Sequence, residues 1–220
     1  MSKRLFFRGS GVPSPARLER CPRCALHRRL CLCAEIRPLE LATRVVVLRH
    51  RKETHKPTNT GRLVPLALTR GELRSFGGRG VVFDATGLME PARRAVLLYP
   101  SARSRLLTSD QAASGPITLI VPDADWRRAH KLATREPALA EIPHVRLPDG
   151  APSNYRLRHH PDPCFLATFE AVARALGILE GDRVQAHLER LFALLVERAL
   201  WSRGRISAED MIGGLPPLAS

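Results

Sequence analysis

The chain has 220 residues, enough for one domain with a short appendage, and its 44% hydrophobic content is that of an ordinary globular protein. It holds no apolar run of about 18 residues, which argues against a transmembrane helix, and its first apolar segment is too short for a signal peptide. The charge is unusual, because 35 Lys and Arg face 21 Asp and Glu, for a net charge of +14. We therefore expect a cytoplasmic protein with a polyanionic partner and no membrane partner.

The positive charge is concentrated near the N-terminus. Residues 1–60 carry 14 basic and 4 acidic residues, whereas the remaining 160 carry 21 and 17. A GC-rich coding sequence would explain why most of these cations are Arg, but it does not explain their clustering. Nucleic acid is the simplest partner for such a basic region. Residues 1–20, which mix glycine and proline with basic residues, are predicted to form a flexible basic arm.

Four of the five cysteines lie within 13 positions, spaced as Cys21-x2-Cys24-x6-Cys31-x-Cys33. A tetrahedral zinc site takes four such ligands, and in a reducing compartment this spacing favours metal over disulfides. We predict a zinc knuckle over residues 21–40 with a structural role, because four protein ligands leave no open position for chemistry. A site that includes His27 and a cluster without metal are the alternatives.

A predicted buried strand and a basic loop follow. Residues 43–48 are apolar and β-branched, as in strands that are buried on both faces. The polar residues 50–62 are rich in turn formers and lead into an apolar helical stretch at 63–68. Thr58 or Thr60 is a candidate cap for that helix, whose first amides can bind an anion. The alternative for residues 50–62 is a solvated loop.

Two later strands share one plan. Residues 95–99 and 117–121 are apolar, and each run ends at a proline followed by polar residues. This plan favours a parallel sheet whose loops gather at the edge where open α/β folds bind ligands. Residues 70–92 contain five glycines and are interpreted as loops around a short strand at 81–83. Another short strand is predicted at residues 144–147.

The segment Asp123-Ala-Asp125-Trp126 lies where the strand at 117–121 gives way to a helix predicted over residues 123–135. Two carboxylates at such a corner are candidates for ligand binding. The simpler interpretation is that Asp123 only caps the helix. The local sequence leaves both interpretations open.

The C-terminal third begins with a basic segment that contains Tyr155, Arg156 and Arg158. It offers either a stacking face with two anion-binding guanidinium groups or only an exposed loop. Two amphipathic helices are predicted after it, from Asp162 to Gly177 and over residues 183–200.

One acidic residue lies near the apolar stripe of the first of these helices. We expect this residue, Glu170, to be partly buried, and Arg156 or Arg158 is its candidate partner, because a buried charge requires one. Residues 206–220 are predicted to form a C-terminal tail.

Taken together, these segments resemble the DTW-domain family of tRNA-uridine aminocarboxypropyltransferases, named after an Asp-x-Thr-Trp motif. In this chain the motif is Asp123-Ala-Asp125-Trp126, with Asp125 in place of the threonine. The resemblance covers about residues 20–180. The other matching segments are the four cysteines, His50 with Lys56-Pro-Thr-Asn59-Thr60-Gly-Arg62, Leu98-Tyr99-Pro100, Tyr155-Arg156-Leu-Arg158 and Thr168-Phe-Glu170-Ala.

The resemblance implies an α/β fold, with a mostly parallel sheet flanked by helices, related to the knotted SPOUT-type methyltransferases. A knot is therefore expected in a catalytic domain over residues 41–205. It also implies S-adenosylmethionine as co-substrate and tRNA as partner, while no protein partner is evident. The implied reaction transfers the 3-amino-3-carboxypropyl group to N3 of a uridine and releases 5′-methylthioadenosine.

The resemblance further assigns candidate roles to single residues. Asp123 is the candidate general base for the N3 proton, and Asp125 and Trp126 complete the catalytic set. The candidate cofactor-binding residues are Leu98, Tyr99, Pro100, Val121, Pro122, Asp123, Tyr155, Arg156 and Arg158. The candidate substrate-binding residues are His50, Lys56, Asn59, Thr60 and Arg62. If the motif threonine contacts a ligand, Asp125 replaces a hydroxyl by an anion, so that either the role tolerates charge or the activity differs.

Three other functions compete with this one. A SPOUT-like methyltransferase would use the same cofactor but transfer its methyl group. A zinc-containing RNA-binding protein without activity would explain the charge and the cysteines, but not the Asp123–Trp126 segment. An rRNA-modifying relative would share the chemistry and differ in the RNA.

Overall fold

The computed structural model describes residues 19–78, 80, 83–157 and 165–216. In these residues six strands form one sheet: β1 (Arg44–His50), β2 (Gly71–Phe76), β3 (Arg94–Leu98), β4 (Arg105–Leu106), β5 (Ile117–Asp123) and β6 (His144–Arg146). The α-helices are α1 (Val64–Ala67), α2 (Asp110–Ala113), α3 (Trp126–Arg135), α4 (Thr168–Glu180) and α5 (Asp182–Trp201). The predicted basic arm lies outside the described residues, apart from Glu19 and Arg20. No helix in the described part of the chain is both long enough and apolar enough to cross a membrane.

The sheet has the strand order β2-β1-β5-β3-β6-β4, and every neighbouring pair is parallel. The prediction of a parallel sheet is thereby confirmed. Arg49 near the end of β1 lies opposite Asp123 at the end of β5. The carboxyl ends of these two central strands therefore meet at one edge, as the sequence predicts for a ligand site. The knot stays a prediction.

Helices cover both faces of the sheet, which explains why β1 is apolar at successive positions. Val45 and Val47 point into a cluster with α4 and α5, whereas Val46 and Leu48 point into a cluster with α3. Successive side chains of a strand point to opposite faces, so a strand that is buried on both sides needs apolar residues throughout.

The interpretation of residues 70–92 as loops around one short strand is wrong for their first part, which forms β2. This strand lies at the edge of the sheet and is only partly buried, so its residues do not form an apolar run. Instead Glu72 joins Arg44 and Arg74 in ion pairs of 2.7 and 2.6 Å. Of the predicted strand at 81–83, residues 81 and 82 lie outside the described residues.

The last two helices differ from their predicted bounds mainly at α4. Asp162 and Pro163, the predicted start, lie outside the described residues, and the described helix begins at Thr168. It continues past the buried Gly177 to Glu180, and a Cβ at Gly177 would clash with the side chain of Gln185 on α5. The chain turns instead at Gly181, which has a φ of 104°.

The N-terminal knuckle packs against the α5 side of the sheet. Its apolar side chains, including Leu30, belong to the same buried cluster as α4 and α5. Arg198 of α5 donates to the carbonyl oxygens of Leu30 at 3.4 Å and Cys31 at 3.0 Å, and it also pairs with Glu35. The start of the described chain is therefore held by its last helix.

Candidate active site

Asp123 lies at the carboxyl end of β5, and only 6% of its surface is exposed. Its Oδ2 accepts a hydrogen bond from Nδ2 of Asn59 at 2.6 Å, and its Oδ1 accepts one from the hydroxyl of Thr168 at 2.7 Å. The carboxylate thus connects β5 to the loop after β1 and to the start of α4. Asp123 does not cap α3, so the simpler interpretation of this residue is wrong.

Burial gives this carboxyl an unusual proton affinity. Desolvation raises the pKa of Asp123, the two hydrogen-bond donors oppose this rise, and nearby Glu53 adds to it. A carboxylate with a raised pKa is a stronger base than an exposed one. Asp123 therefore holds a proton more tightly than an exposed carboxylate does, as a candidate general base requires.

Asp125, two residues later, is the N-cap of α3. Its carboxylate accepts a hydrogen bond from the backbone amide of Arg128 at 3.0 Å and forms an ion pair with the Arg128 side chain. The side chain of Asp125 is 46% exposed. The two carboxylates of the motif thus have different environments, one buried at the strand end and one at the surface as a helix cap.

Trp126 is exposed at this corner, with 48% of its surface open to solvent. Its ring stacks on Tyr99 with centroids 5.2 Å apart and planes at 27°, and the ring of Phe165 approaches it edge-on at 5.4 Å. The Tyr99 hydroxyl forms a hydrogen bond of 3.0 Å with Nδ1 of His130. The structure therefore leaves an aromatic surface open within three residues of Asp123.

The loop after β1 is held from within by its own basic residues. Arg62 donates to the carbonyl oxygens of Asn59 at 3.0 Å and Lys56 at 2.7 Å, and Lys56 pairs with the buried Glu53 at 2.5 Å. Burial lowers the pKa of Arg62. Arg62 therefore shapes the loop that carries Asn59, and its role in substrate binding stays a prediction.

Thr60 connects this loop to α4. Its hydroxyl oxygen accepts a hydrogen bond from the backbone amide of Phe169 at 3.2 Å. Thr60 is the N-cap residue of the turn at Gly61–Leu63, as predicted, but its side chain makes no capping hydrogen bond there. The physical reason is that α4, more than 100 residues later, offers Thr60 an unpaired amide at its own N-terminus.

The segment at 153–157 is fixed to both neighbours. The Tyr155 hydroxyl donates to the carbonyl oxygen of Thr58 at 2.5 Å, and its ring packs near Phe192. Arg156 is 56% exposed and lies 3.6 Å from Glu197, and Arg158 lies outside the described residues. Arg156 therefore stays accessible to an anionic ligand.

Glu170 is buried more deeply than predicted, with 2% of its surface exposed, and of its two predicted partners Arg156 pairs with Glu197 instead, whereas Arg158 lies outside the described residues. Glu170 accepts hydrogen bonds from the Ser153 hydroxyl at 2.5 Å and the Asn154 amide at 2.9 Å, and Arg174 lies 3.5 Å away. Arg174 is four residues further along the same helix, so a local i,i+4 pair takes the place expected for Arg156.

The remaining predicted residues surround this corner. His50 at the end of β1 accepts a hydrogen bond from the Lys52 amide at 3.1 Å, and its pKa is lowered by burial and by nearby Arg128. Pro100 is exposed after β3 and Pro122 is half-buried in β5. Leu98 and Val121 are buried in β3 and β5, so a ligand would meet mainly their backbone.

The four cysteines meet in one cluster, as predicted. Their sulfur atoms all lie within 4.8 Å of one another, and among the described residues the group does not include His27. The Cys21–Cys33 and Cys24–Cys31 sulfur distances are 3.7 and 3.8 Å. A tetrahedral zinc ion with bonds of about 2.3 Å requires sulfur atoms about 3.8 Å apart, so the four thiols fit that ion. Burial raises the pKa of Cys21, but amide donors from Cys24 and Arg23 bring it down to about 7.

The profile of the DTW domain matches residues 18–200. The chain belongs to the DTW-domain family. It is 27% identical to tRNA-uridine aminocarboxypropyltransferase 2 of Drosophila melanogaster, over 78% of this chain and 71% of that protein. It is 28% identical to the Mus musculus protein of the same name, over 78% of this chain and 60% of that protein, and 29% identical to tRNA-uridine aminocarboxypropyltransferase A of Arabidopsis thaliana, over 76% and 74%. No solved structure matches the chain.

Two further residues at this corner contribute to the site, and neither was among the predicted site residues. Thr168, which holds Asp123, begins the Thr-Phe-Glu-Ala segment that resembles the family. Gly61 lies in the loop segment that resembles the family, and the Asp123 carboxylate occupies the space that a side chain at this position would need. Both residues lie inside segments that resemble the family, so the resemblance of those segments could have identified them as site residues.

The cap explains the departure from the DTW motif. Thr and Asp are both good N-cap residues, so Asp125→Thr is expected to change the transfer rate by less than about threefold. Asp125→Ala removes the cap and is expected to cost about 0.5–2 kcal/mol of unfolding free energy, measured by urea denaturation. A tenfold or larger change in activity of a stable Asp125→Thr protein, on the order of 1.4 kcal/mol, would show that this position contacts a ligand.

A methyl group at Gly61 should displace the Asp123 carboxylate. A Cβ there would lie 2.7 Å from Oδ2 of Asp123 and 3.2 Å from Cγ1 of Val47. The Asp123 carboxylate is held by two hydrogen bonds, and Val47 is fully buried. Gly61→Ala is therefore expected to cost about 1–3 kcal/mol of stability and to reduce activity more than stability alone explains. Gly150→Ala is the matched control, because its Cβ meets no atom closer than 3.5 Å. Equal activity in the two variants would contradict the close fit around Asp123.

Proposed function

We propose that this protein transfers the 3-amino-3-carboxypropyl group of S-adenosylmethionine to N3 of a uridine in tRNA and releases 5′-methylthioadenosine. The observation that carries the proposal is the buried Asp123, oriented by Asn59 and Thr168 beside the exposed Trp126 in a DTW-domain chain. The similar proteins of fly, mouse and Arabidopsis are named tRNA-uridine aminocarboxypropyltransferases, which supports the same reaction class here.

Several residues suit the donor. S-adenosylmethionine supplies a carbon bound to a sulfonium, which is a good leaving group. Trp126, which stacks on the buried Tyr99, offers an exposed aromatic face for its adenine, and Arg156 offers a cation for its carboxylate. The Oδ1 atom of Asn59 is buried with no hydrogen-bond partner in the described part of the chain. A buried acceptor of this kind suits a ligand amine or hydroxyl.

The acceptor requires a base. Uridine N3 carries a proton and is a poor nucleophile until that proton leaves, and Asp123 accepts it in this proposal. The bond from N3 to the carboxypropyl carbon forms while the bond from that carbon to sulfur breaks, and the proton remains on Asp123 until water removes it. Asn59 and Thr168 are positioning residues, because they orient the carboxylate through its two oxygens.

The cysteine cluster completes the proposal. We infer that Cys21, Cys24, Cys31 and Cys33 hold one structural zinc ion, because their sulfur distances fit its tetrahedral geometry. A cytoplasmic location, where thiols stay reduced, is part of this proposal.

The test is mass spectrometry of nucleosides after the purified protein has been incubated with S-adenosylmethionine and tRNA from a strain that lacks the gene. We expect an aminocarboxypropyl-uridine and an equal amount of 5′-methylthioadenosine. S-adenosylhomocysteine with a methylated nucleoside would establish a methyltransferase instead. Modified rRNA with unchanged tRNA would correct the RNA class, and binding of RNA without any product would leave only the RNA-binding function.

A further inference from the structure

Helix α3 carries a row of cations on its solvent side. Arg127, Lys131 and Arg135 are spaced four residues apart, so they share one face of the helix, and all three are exposed. The row spans about 12 Å at a rise of roughly 1.5 Å per residue. The ten residues of α3 include no Asp or Glu. We call these three side chains the α3 cation row.

This arrangement weakens the helix that carries it. Like charges four residues apart repel each other, and Arg127 also lies in the first turn, where the helix dipole disfavours positive charge. In the part of the chain that the structure describes, none of the three has an ion-pair partner. The Asp125 cap compensates only Arg128. Arg135 lies in the last turn, where the helix dipole favours a cation, but the repulsion within the row and the position of Arg127 oppose helix stability. Charges that oppose local stability are expected where residues have a function outside the fold.

The α3 cation row begins beside the candidate active site. The helix starts at Trp126, three residues after Asp123, and packs on the sheet face opposite to α4 and α5. At the corner itself Arg128 is paired with Asp125 and Lys56 with Glu53, so those cations are partly neutralised. The positive charge of the row therefore begins next to the candidate active site and extends away from it along α3.

We propose that the α3 cation row binds the phosphate backbone of tRNA next to the uridine that is modified. Evenly spaced cations fit a polymer whose anions repeat, and phosphate contacts position a nucleic acid without reading its sequence. The tRNA assignment rests on the proposed function, whereas the anionic partner is argued from the charges alone. The row would set the register of the RNA strand, so that the target base reaches Trp126.

The experiment is a triple variant, Arg127→Gln with Lys131→Gln and Arg135→Gln. Binding of labelled unfractionated tRNA is measured by fluorescence anisotropy over a series of KCl concentrations. Each phosphate contact contributes about 0.7–0.9 to the slope of log K against log salt, so we expect the slope to fall by roughly 2–3. At low salt, binding should weaken by at least about tenfold. The melting temperature should stay equal or rise, because the repulsion within α3 is removed.

The matched control removes the same charge from the other face of the protein, through Arg183→Gln, Arg190→Gln and Arg205→Gln. These three arginines are also exposed, in α5 and just after it. The control should keep nearly the wild-type slope. An unchanged slope in the α3 variant, or an equal loss in the control, would overturn the proposal, since the effect would then reflect net charge only. Competition by polyglutamate as strong as that by tRNA would assign the row to an acidic protein and also overturn it.

The binding assay requires no catalysis, so the two proposals can fail separately. Row-dependent tRNA binding by a wild-type protein that forms no aminocarboxypropyl-uridine would remove the proposed function and leave the row. A wild-type protein that modifies tRNA, together with an α3 variant of unchanged tRNA affinity, would remove the row and leave the function.

Discussion

Asp123→Asn is expected to lower the rate of uridine modification by a factor of about 10²–10⁴, the usual contribution of a positioned general base. Asn keeps the size of the side chain but cannot accept the N3 proton. The fold has a way to accommodate it, because the unpaired Oδ1 of Asn59 can accept from the new amide once the Asn59 side chain turns over. Thr168 still donates to the remaining oxygen.

Stability measurements separate this effect from unfolding. The pKa of Asp123 is raised in the folded protein, so the folded state keeps its proton to higher pH than the unfolded chain does. The free energy of unfolding therefore falls as pH rises from the ordinary carboxylate range through the raised pKa. Asp123→Asn should not show this fall, so its stability relative to wild type should improve as pH rises from the ordinary carboxylate pKa through the raised pKa of Asp123.

The pH profile of activity gives a second readout. The wild-type rate should rise with pH through the raised pKa of Asp123, and the residual rate of the variant should lose that rise. Asp125→Asn is the matched control, because it removes a carboxylate from an exposed cap at which Asn also serves. If Asp123→Asn binds S-adenosylmethionine and modifies tRNA at the wild-type rate, the assignment of the base is wrong.

Loss of the zinc ion that we propose at the four cysteines is expected to destabilise the whole protein. We expect one zinc ion per chain by elemental analysis. Cys24→Ser should lower the unfolding free energy by several kcal/mol, since structural zinc contributes about 10–16 kcal/mol in isolated finger peptides. Cys24 is fully buried, and the knuckle shares one apolar cluster with α5. The effect should therefore reach the core, as measured by urea denaturation with and without a chelator.

The control for this experiment is Cys164→Ser, which removes the cysteine outside the motif and should keep the zinc ion. Protein that is purified without metal and is insensitive to chelators would instead support a cluster of free thiols. Wild-type zinc content in the Cys24→Ser protein would show that this thiol is not a ligand.

Local sequence predicts features of this protein whose causes are local. The central strands follow from unbroken apolar runs such as Val45–Leu48, and the cysteine cluster follows from spacing. The edge strand β2 was missed because it is only partly buried and so has no apolar run. The predicted start of α3 at Asp123 was wrong, because the helix cap lies two residues further on, at Asp125.

The role of Asp123 depends on contacts that no local pattern contains. Its partners Asn59 and Thr168 are 64 and 45 residues away in the chain. The sequence pattern therefore identified the corner between β5 and α3, whereas the different environments of its two carboxylates are known only from the fold. The same holds for Glu170, whose burial was predictable from its helix face but whose partner Ser153 was not.

The contacts between the knuckle and α5 impose an order on assembly. Arg198, which binds the carbonyls of Leu30 and Cys31, is made 167 residues after Cys31. Domains made from the N-terminus onward can only close contacts whose partners already exist. The thiols are thus available to a metal while these 167 residues are made, and the contacts between the knuckle and α5 form only afterwards.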